Sequence, residues 1–454
     1  MSLHQTIDLD RDLPHIPTKN INFHPTTGIS CLIVGAGVGG LTTALECRRK
    51  GHSVRVVERS PTPNSAGDFF SIGRNIVAHL YNYWPVSPPN RISGPEPVPI
   101  GKPTMTLNDG SEKIIPFSRH HRPKFVAALL AQVKGLGIEV TFGAKVTDYL
   151  EDADKQKAGI VLESGERIEA DVVIAADGIG TKSHKLVNGG DDRAYSSGIS
   201  IFRTSFPVEL ALSDPEVRDR WPLLDGNVPC LEIWGGDGKG MESWNQTVDV
   251  SEVLKITAKI PGFPEVAERL IKTTPNNGII DWEIMWRDPR ENWISPCGRV
   301  VQVGDSAHTF LPSSGSGATQ AMEDAISLAT CLEIGGKRNV TIATKIHNKL
   351  RFERVSCVQL SGFMNHQKQS NPVYSAENDD KESFKINLGD WIVMYDSEKY
   401  TYAHYGEVLH HLHSGMPLKA KNIPRGYTYK PWTIKGLLDM VERGEKIHFD
   451  GDWS

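Results

Sequence analysis

Residues 30–58 read SCLIVGAGVGGLTTALECRRKGHSVRVVE, and this stretch decides the architecture. SCLIVG is a short apolar run of the kind that a parallel strand buried on both faces requires. Gly35, Gly37 and Gly40 follow as G-x-G-x-x-G, LTTALECRRKG supplies a helix ending at Gly51, and HSVRVVE supplies a second strand ending at Glu58. Strand, glycine turn, helix and strand make a βαβ dinucleotide-binding unit. The first glycines let backbone approach a pyrophosphate, the third lets the helix pack closely on the strand, and the helix N-terminus faces the negative charge. Glu58 accepts hydrogen bonds from a ribose diol and repels a 2′-phosphate, which favours FAD or NAD over NADP. The unit alone does not separate FAD from NAD.

Two later segments bear on that choice. Residues 168–178, IEADVVIAADG, read as an apolar strand running into Asp177 and Gly178, although Asp-Gly after a strand is ordinarily a turn. Residues 299–329, RVVQVGDSAHTFLPSSGSGATQAMEDAISLA, place a buried strand before Gly304 and Asp305 and open a helix at Gly315 to Gly317. Ser314, Gly315, Ser316, Gly317 and Ala318 are small enough for close backbone approach, and a helix start there offers unpaired N–H groups and a positive dipole end. A reduced flavin anion, charged around N1 and the C2 carbonyl, suits that position, and Asp305 suits a ribityl hydroxyl.

In order and spacing the three segments resemble the three fingerprints of class A flavoprotein monooxygenases, the para-hydroxybenzoate hydroxylase and salicylate hydroxylase group. The pattern Gly304, Asp305, Ala307, His308, Pro312, Gly315, Gly317, Glu323, Asp324, Ala325 is long and specific, and the resemblance covers about residues 29 to 360. It implies an α/β fold: a Rossmann-like FAD-binding domain from residues 29–190 and 291–364, interleaved with a substrate domain on a mostly antiparallel sheet at 191–290. A leader (1–28) and a helical or irregular C-terminal extension (365–454) flank them.

By the same resemblance, Gly35, Gly37, Gly40 and Glu58 hold the ADP part of FAD. Asp305 with Gly315, Ser316, Gly317 and Ala318 holds the ribityl and isoalloxazine parts, and Arg122 approaches the phosphates. Arg59, Gly67, Asp177, Gly178 and Pro312 complete the expected cofactor set. Arg203 in IFRTSF lies where some relatives use an arginine to meet a phenolate or a flavin-bound peroxide, so it is the expected catalytic residue; an ion-pair role is the alternative. Phe202, Phe206, Trp234, Trp244, Trp282 and Trp286 are candidate pocket walls, with plain core the alternative. The chain departs from the family at Thr181 and His184, where serine and arginine are usual, and at Ser316 and Thr319, where glutamine and asparagine are common. The tyrosine of many fungal relatives is not evident in EIWGGDGKG.

The activity implied is monooxygenation: NAD(P)H reduces FAD, dioxygen adds at flavin C4a, and one oxygen atom passes to a small aromatic or electron-rich substrate, in secondary or aromatic metabolism. A halogenase or reductase of the same fold is a second reading, although no W-x-W-x-I-P segment is present. A non-catalytic FAD-binding scaffold is a third.

Composition narrows the rest. The 454 residues are 39% hydrophobic and 23% charged with a net charge of −5, which fits a globular chain and gives no basic face for nucleic acid. The six cysteines form no C-x-x-C pair and read as reduced core thiols. His404, His410, His411 and His413 have no Cys or carboxylate framing them, so no metal site is expected. No apolar run reaches the about 18 to 20 residues that span a bilayer, and residues 1–28 are polar, so a cytoplasmic monomer or homodimer is expected.

Overall fold

The structure, a computed structural model, describes residues 21–63, 67–84, 104–106, 112–114, 117–190, 194–222, 247–370, 389–445, 447 and 450–453. Residues 1–20 of the leader, Cys230, Trp234, Trp244 and the segment EIWGGDGKG lie outside the described residues.

Apolar runs buried on both faces build a five-stranded parallel sheet in the order Val300–Gln302, Val172–Ala175, Ser30–Val34, Ser53–Val57, Glu139–Thr141. Alternate residues serve opposite layers, as strand geometry demands. Cys31, Ile33, Val56 and Ile174 pack with Leu41, Leu45 and Met322 of the helices Val38–Arg49 and Gly317–Gly335. Leu32, Val34, Val57 and Val173 pack with Tyr149, Ile160 and Leu162 of an antiparallel three-stranded sheet on the other side.

The stretch 168–178 is two strands, not one. Arg167–Ala170 belongs to the antiparallel sheet and Val172–Ala175 to the parallel one. The break is Asp171, whose carboxylate accepts from the Ser30 N–H and hydroxyl, both at 2.8 Å, and from Lys157 Nζ at 2.7 Å. A buried carboxylate with fixed partners ends one strand and starts the next.

Between the neighbouring strands Val172–Ala175 and Val300–Gln302 the chain inserts a second antiparallel sheet, in the order Tyr195–Thr204, Ile279–Trp286, Thr247–Val248. Its two faces differ. Phe202 packs with Val248, Val253 and Ile279, in a cluster separate from that of Ile201 and Trp286, which favours the plain-core alternative for it. Ile201, Ile284 and Trp286 pack with Leu311, Leu360 and Phe363, and so face the loop that precedes the Gly317–Gly335 helix.

The C-terminal part is built into this core. Helix Ser397–Ser414 buries Tyr405 and Val408 in the same cluster as Ile326 and Leu332, and Ile434 and Leu437 join Trp286 and Phe363. Four fully buried charges lock the joint. Arg351 Nε donates to Asp324 (2.8 Å) and Nη1 to Glu323 (2.6 Å); Arg354 Nε and Nη2 donate to Glu323 at 2.9 and 3.0 Å. Burial pushes the Glu323 carboxyl up, but the Arg354 and Arg351 charges more than offset this and hold it below its ordinary value. Arg354 also donates to the Trp391, Ile392 and Asn422 carbonyls, which ties residues past 389 to the sheet. Arg351→Leu removes the guanidinium that faces Asp324 and one of the two that face Glu323, and is expected to cost about 3–5 kcal/mol. Lys145→Ala, which opens the exposed Lys145–Glu163 pair, is expected to cost under about 1 kcal/mol. Unfolding midpoints in urea compare the two.

Candidate cofactor site

The first loop is shaped for a ligand rather than for its own side chains. Gly35 has φ +105°, and a Cβ there would lie 2.4 Å from the Ala176 carbonyl oxygen; one on Gly40 would lie 1.9 Å from the Gly35 carbonyl oxygen. Those two glycines let the helix Val38–Arg49 sit against the strands. Beside Gly37 no atom of the described residues, its chain neighbours aside, lies within 4 Å of a built Cβ, so the space there is open among them. Gly37 caps the helix without a side-chain hydrogen bond, and no acid occupies the first turn, so the N–H groups and positive dipole end are available to an anion. Glu58 is oriented by the Ala36 N–H (2.7 Å) and the Ser60 N–H (2.9 Å), each to a different carboxylate oxygen, with lone pairs left for a diol. Arg59 stands exposed next to it.

The second loop mirrors the first across the sheet. Pro312–Ser314 forms a 3-10 turn with Pro312 exposed, Gly315 turns left-handed at φ +59°, and Ser316 caps the 19-residue helix Gly317–Gly335 without a side-chain bond or a first-turn acid. Thr319 Oγ1 accepts the Gly73 N–H at 2.8 Å, so the family departure at this position keeps a structural bond to the strand Phe69–Gly73. Gly304 N–H donates to Asp324 (3.0 Å), and His308 Nε2 lies 2.6 Å from the same carboxylate, which fixes the turn carrying Asp305. Asp305 itself is solvent-exposed, yet burial raises its carboxyl above the ordinary value, while His308, Arg122 and Arg287 pull it back. Among the described residues it forms no hydrogen bond.

Arg122 starts the helix Arg122–Gly135, its N–H donates to the Asp68 carbonyl at 2.7 Å, and Gly67 (φ +130°) passes 3.1 Å from its Cδ when a Cβ is built. The structure thus brings Gly67 and Arg122 together near Asp305. Asp177 is used internally: Tyr149 donates to it at 2.8 Å and Ser306 at 3.2 Å, while Ser306 Oγ accepts the Gly178 N–H at 2.9 Å. The Asp177–Gly178 turn therefore ties two strand ends together. Thr181 and His184 are also core groups, hydrogen-bonded to Ser183 and to Gln302.

Arg203 lies on the inserted sheet with its guanidinium 4.1 Å from the Trp282 ring centre and paired with Asp68, Nε to Oδ2 at 2.6 Å and Nη2 to the other oxygen. Burial works against its charged form, and the Asp68 carboxylate beside it works for that form. Sequence reasoning missed Asp68 and Arg287. The only signal for Asp68 was its position next to Gly67, and for Arg287 a charge directly after the strand Ile279–Trp286.

Two helix starts at one sheet edge, with an oriented glutamate at one end and an open aspartate at the other, fit the class of dinucleotide-binding proteins. Residues 33–82 match the family model of an NAD(P)-binding Rossmann-like domain. An FAD-dependent monooxygenase of Gibberella fujikuroi is 38% identical, over 95% of this chain and 90% of that protein. One of Cryptosporiopsis sp. is 38% identical, over 98% of this chain and 92% of that protein. Among solved structures, FqzB superposes with a TM-score of 0.74 at 26% identity, over 89% of this chain and 98% of that one. CtdE in complex with FAD and substrate 4 gives 0.72 at 25% identity, over 85% and 100%. The chain belongs to the FAD-dependent monooxygenase family, and its cofactor is FAD. If the open space beside Gly37 takes the cofactor, Gly37→Ala is expected to keep the thermal midpoint while weakening FAD binding at least about tenfold, about 1.4 kcal/mol. Gly40→Ala collides with backbone and is expected to lower the midpoint itself. Calorimetric melting and FAD fluorescence titration separate the two effects.

Proposed function

We propose that this enzyme uses NAD(P)H and dioxygen to place one oxygen atom on a small, electron-rich aromatic substrate, and that Arg203 orients that substrate. The observation that carries this reading is the face of the inserted sheet turned toward the Leu311–Gly317 loop. Ile201, Ile284 and Trp286 make it apolar together with Leu311 and Phe363, and on the same sheet the Arg203 guanidinium lies over Trp282 while paired with Asp68. An apolar wall excludes water from a reactive flavin site, and a cation at its edge selects a ring with an ionisable hydroxyl.

FAD supplies the oxygen-activating chemistry when bound, and the residues Gly35, Gly37, Gly40, Glu58, Arg122, Asp305 and Gly315 to Ala318 are the ones proposed to hold it. The chain's own contribution is orientation and electrostatics. The Gly317–Gly335 helix start stabilises negative charge at small reorganisation cost, because its N–H groups are fixed in place beforehand. Asp68 holds Arg203 at the pocket edge, so the cation meets a phenolate without first being ordered. The Asp177–Tyr149–Ser306 bonds keep the second strand end rigid beneath the cofactor.

The test is NADH or NADPH consumption by the FAD-loaded protein with a panel of phenols and indoles, read with labelled dioxygen and mass spectrometry. The proposal expects one phenol class to accelerate consumption and to gain a single labelled oxygen. Product formation confined to non-aromatic compounds overturns it. For the phenol that reacts, Arg203→Gln is expected to lower kcat/KM by about 10- to 100-fold, the scale of one charge-assisted hydrogen bond. FAD affinity should be unchanged.

A further inference from the structure

We infer that Asp68 excludes carboxylated substrates: by neutralising Arg203 it restricts the enzyme to rings that carry a hydroxyl but no carboxylate. The inference rests on the proposed role of Arg203 and adds the charge class of the substrate.

A guanidinium standing alone on an apolar sheet is a carboxylate receptor, because its planar fork matches two oxygens. In this chain Asp68 has taken that fork. Arg203 Nε donates to Asp68 Oδ2 at 2.6 Å and Nη2 pairs with Oδ1, so both carboxylate oxygens are engaged. The two side chains are 22% and 14% exposed, and a pair held that far out of water is screened little. The Nη1 end still offers N–H groups to an oxygen, but the charge behind them is already compensated. A substrate carboxylate there meets two opposite charges at similar distances, gains little attraction, and still loses its water. A phenol enters neutral and asks only for one N–H donor.

Asp68 is also fixed against stepping aside. Its carbonyl accepts the Arg122 N–H at 2.7 Å, at the start of the helix Arg122–Gly135. The next residue opens the strand Phe69–Gly73, which pairs with Phe117–His121 and is tied to Thr319 through the Gly73 N–H. Pulling the Asp68 carboxylate off Arg203 leaves a part-buried anion unpaired. The surroundings agree with an uncharged ligand. Ile280 lies opposite Arg203 in the strand register, Trp282 lies under the guanidinium, and both are exposed, as is Phe69 beside Asp68. A compensated ion pair bordered by open apolar side chains accepts an aromatic ring and discriminates by repulsion against one with an added carboxylate.

The experiment measures dissociation constants of the FAD-loaded protein from the change in flavin absorbance, with 1-naphthol, 1-hydroxy-2-naphthoate and the methyl ester of that acid as probes. The ester keeps the shape of the acid and lacks its charge. In the natural protein the ester is expected to bind at least about tenfold tighter than the acid. A smaller ratio, or no measurable binding of the ester, overturns the inference, and this comparison needs no variant to fold. Asp68→Asn is expected to bring the acid at least level with the ester, and Asp68→Glu to keep the natural ratio. A purely structural role for Asp68 would weaken all three probes alike, so an unchanged ratio in Asp68→Asn also overturns the inference. Arg203→Gln separates the two readings. Natural affinity for 1-naphthol in that variant overturns the proposed role of Arg203, and the inference with it; weakened 1-naphthol binding there, beside an unchanged ratio in Asp68→Asn, overturns the exclusion by Asp68 alone.

Discussion

The Glu323–Asp324 pair set against Arg351 and Arg354 is the constraint on which the rest of the structure depends. All four side chains are buried, and a lone member would be costly, so each fixes the others. The network then reaches outward through its remaining lone pairs and N–H groups. Asp324 accepts the Gly304 N–H and meets His308, which sets the turn bearing Asp305. Glu323 accepts from Asn75 at 2.9 Å, at the start of the helix after strand Phe69–Gly73. Arg354 takes three carbonyls from the C-terminal part. One charge cluster thereby positions the loop proposed for the isoalloxazine, the strand beside Asp68, and the segment that closes the core.

That arrangement explains why the fold separates rigid and adjustable parts. Both helix starts proposed to meet FAD follow strands of the parallel sheet, whose central strands are packed on both faces. The surface proposed to meet substrate belongs to the inserted sheet, joined to the flavin side by the Arg203–Asp68 pair and the Trp286–Phe363 contact. Substrate preference can then change by altering the inserted sheet while the cofactor cradle stays fixed, a division that places specificity in a site grafted on a common scaffold.

Much of this was legible in the chain. G-x-G-x-x-G with strand, helix and Glu58 in register gave the first βαβ unit, because a turn lacking side chains at Gly35 and Gly40 has few other uses. The long third segment gave the second helix start. Phe202 stayed open between pocket wall and plain core because period-2 alternation tells that two faces exist and not which one meets the flavin loop. The strand at 168–178 split because Asp171 finds partners 141 residues away at Ser30, which local pattern cannot reveal. The pairing of Arg203 with Asp68 and the burial of Arg287 were hidden for the same reason: long-range partners decide whether a charge is solvated, paired or held against a ligand. Residues 365–454 read only as a helical or irregular extension packing back over the core, because their apolar positions are spaced by turns and prolines; which of them do so, Ile434 and Leu437 beneath the inserted sheet, needed the structure.

The account's central claim is that two glycine-lined helix starts, one at each end of the same sheet edge, act on one flavin dinucleotide. Titration of the apoprotein with FAD, and separately with FMN, tests it most directly, because FMN lacks the adenosine half that the loop from Gly35 to Glu58 is proposed to hold. The account predicts saturation at one FAD per chain and binding of FMN weaker by about tenfold or more, at about 1.4 kcal/mol for each tenfold. Equal affinity for the two flavins would contradict it, since the first loop would then contribute nothing to holding the cofactor.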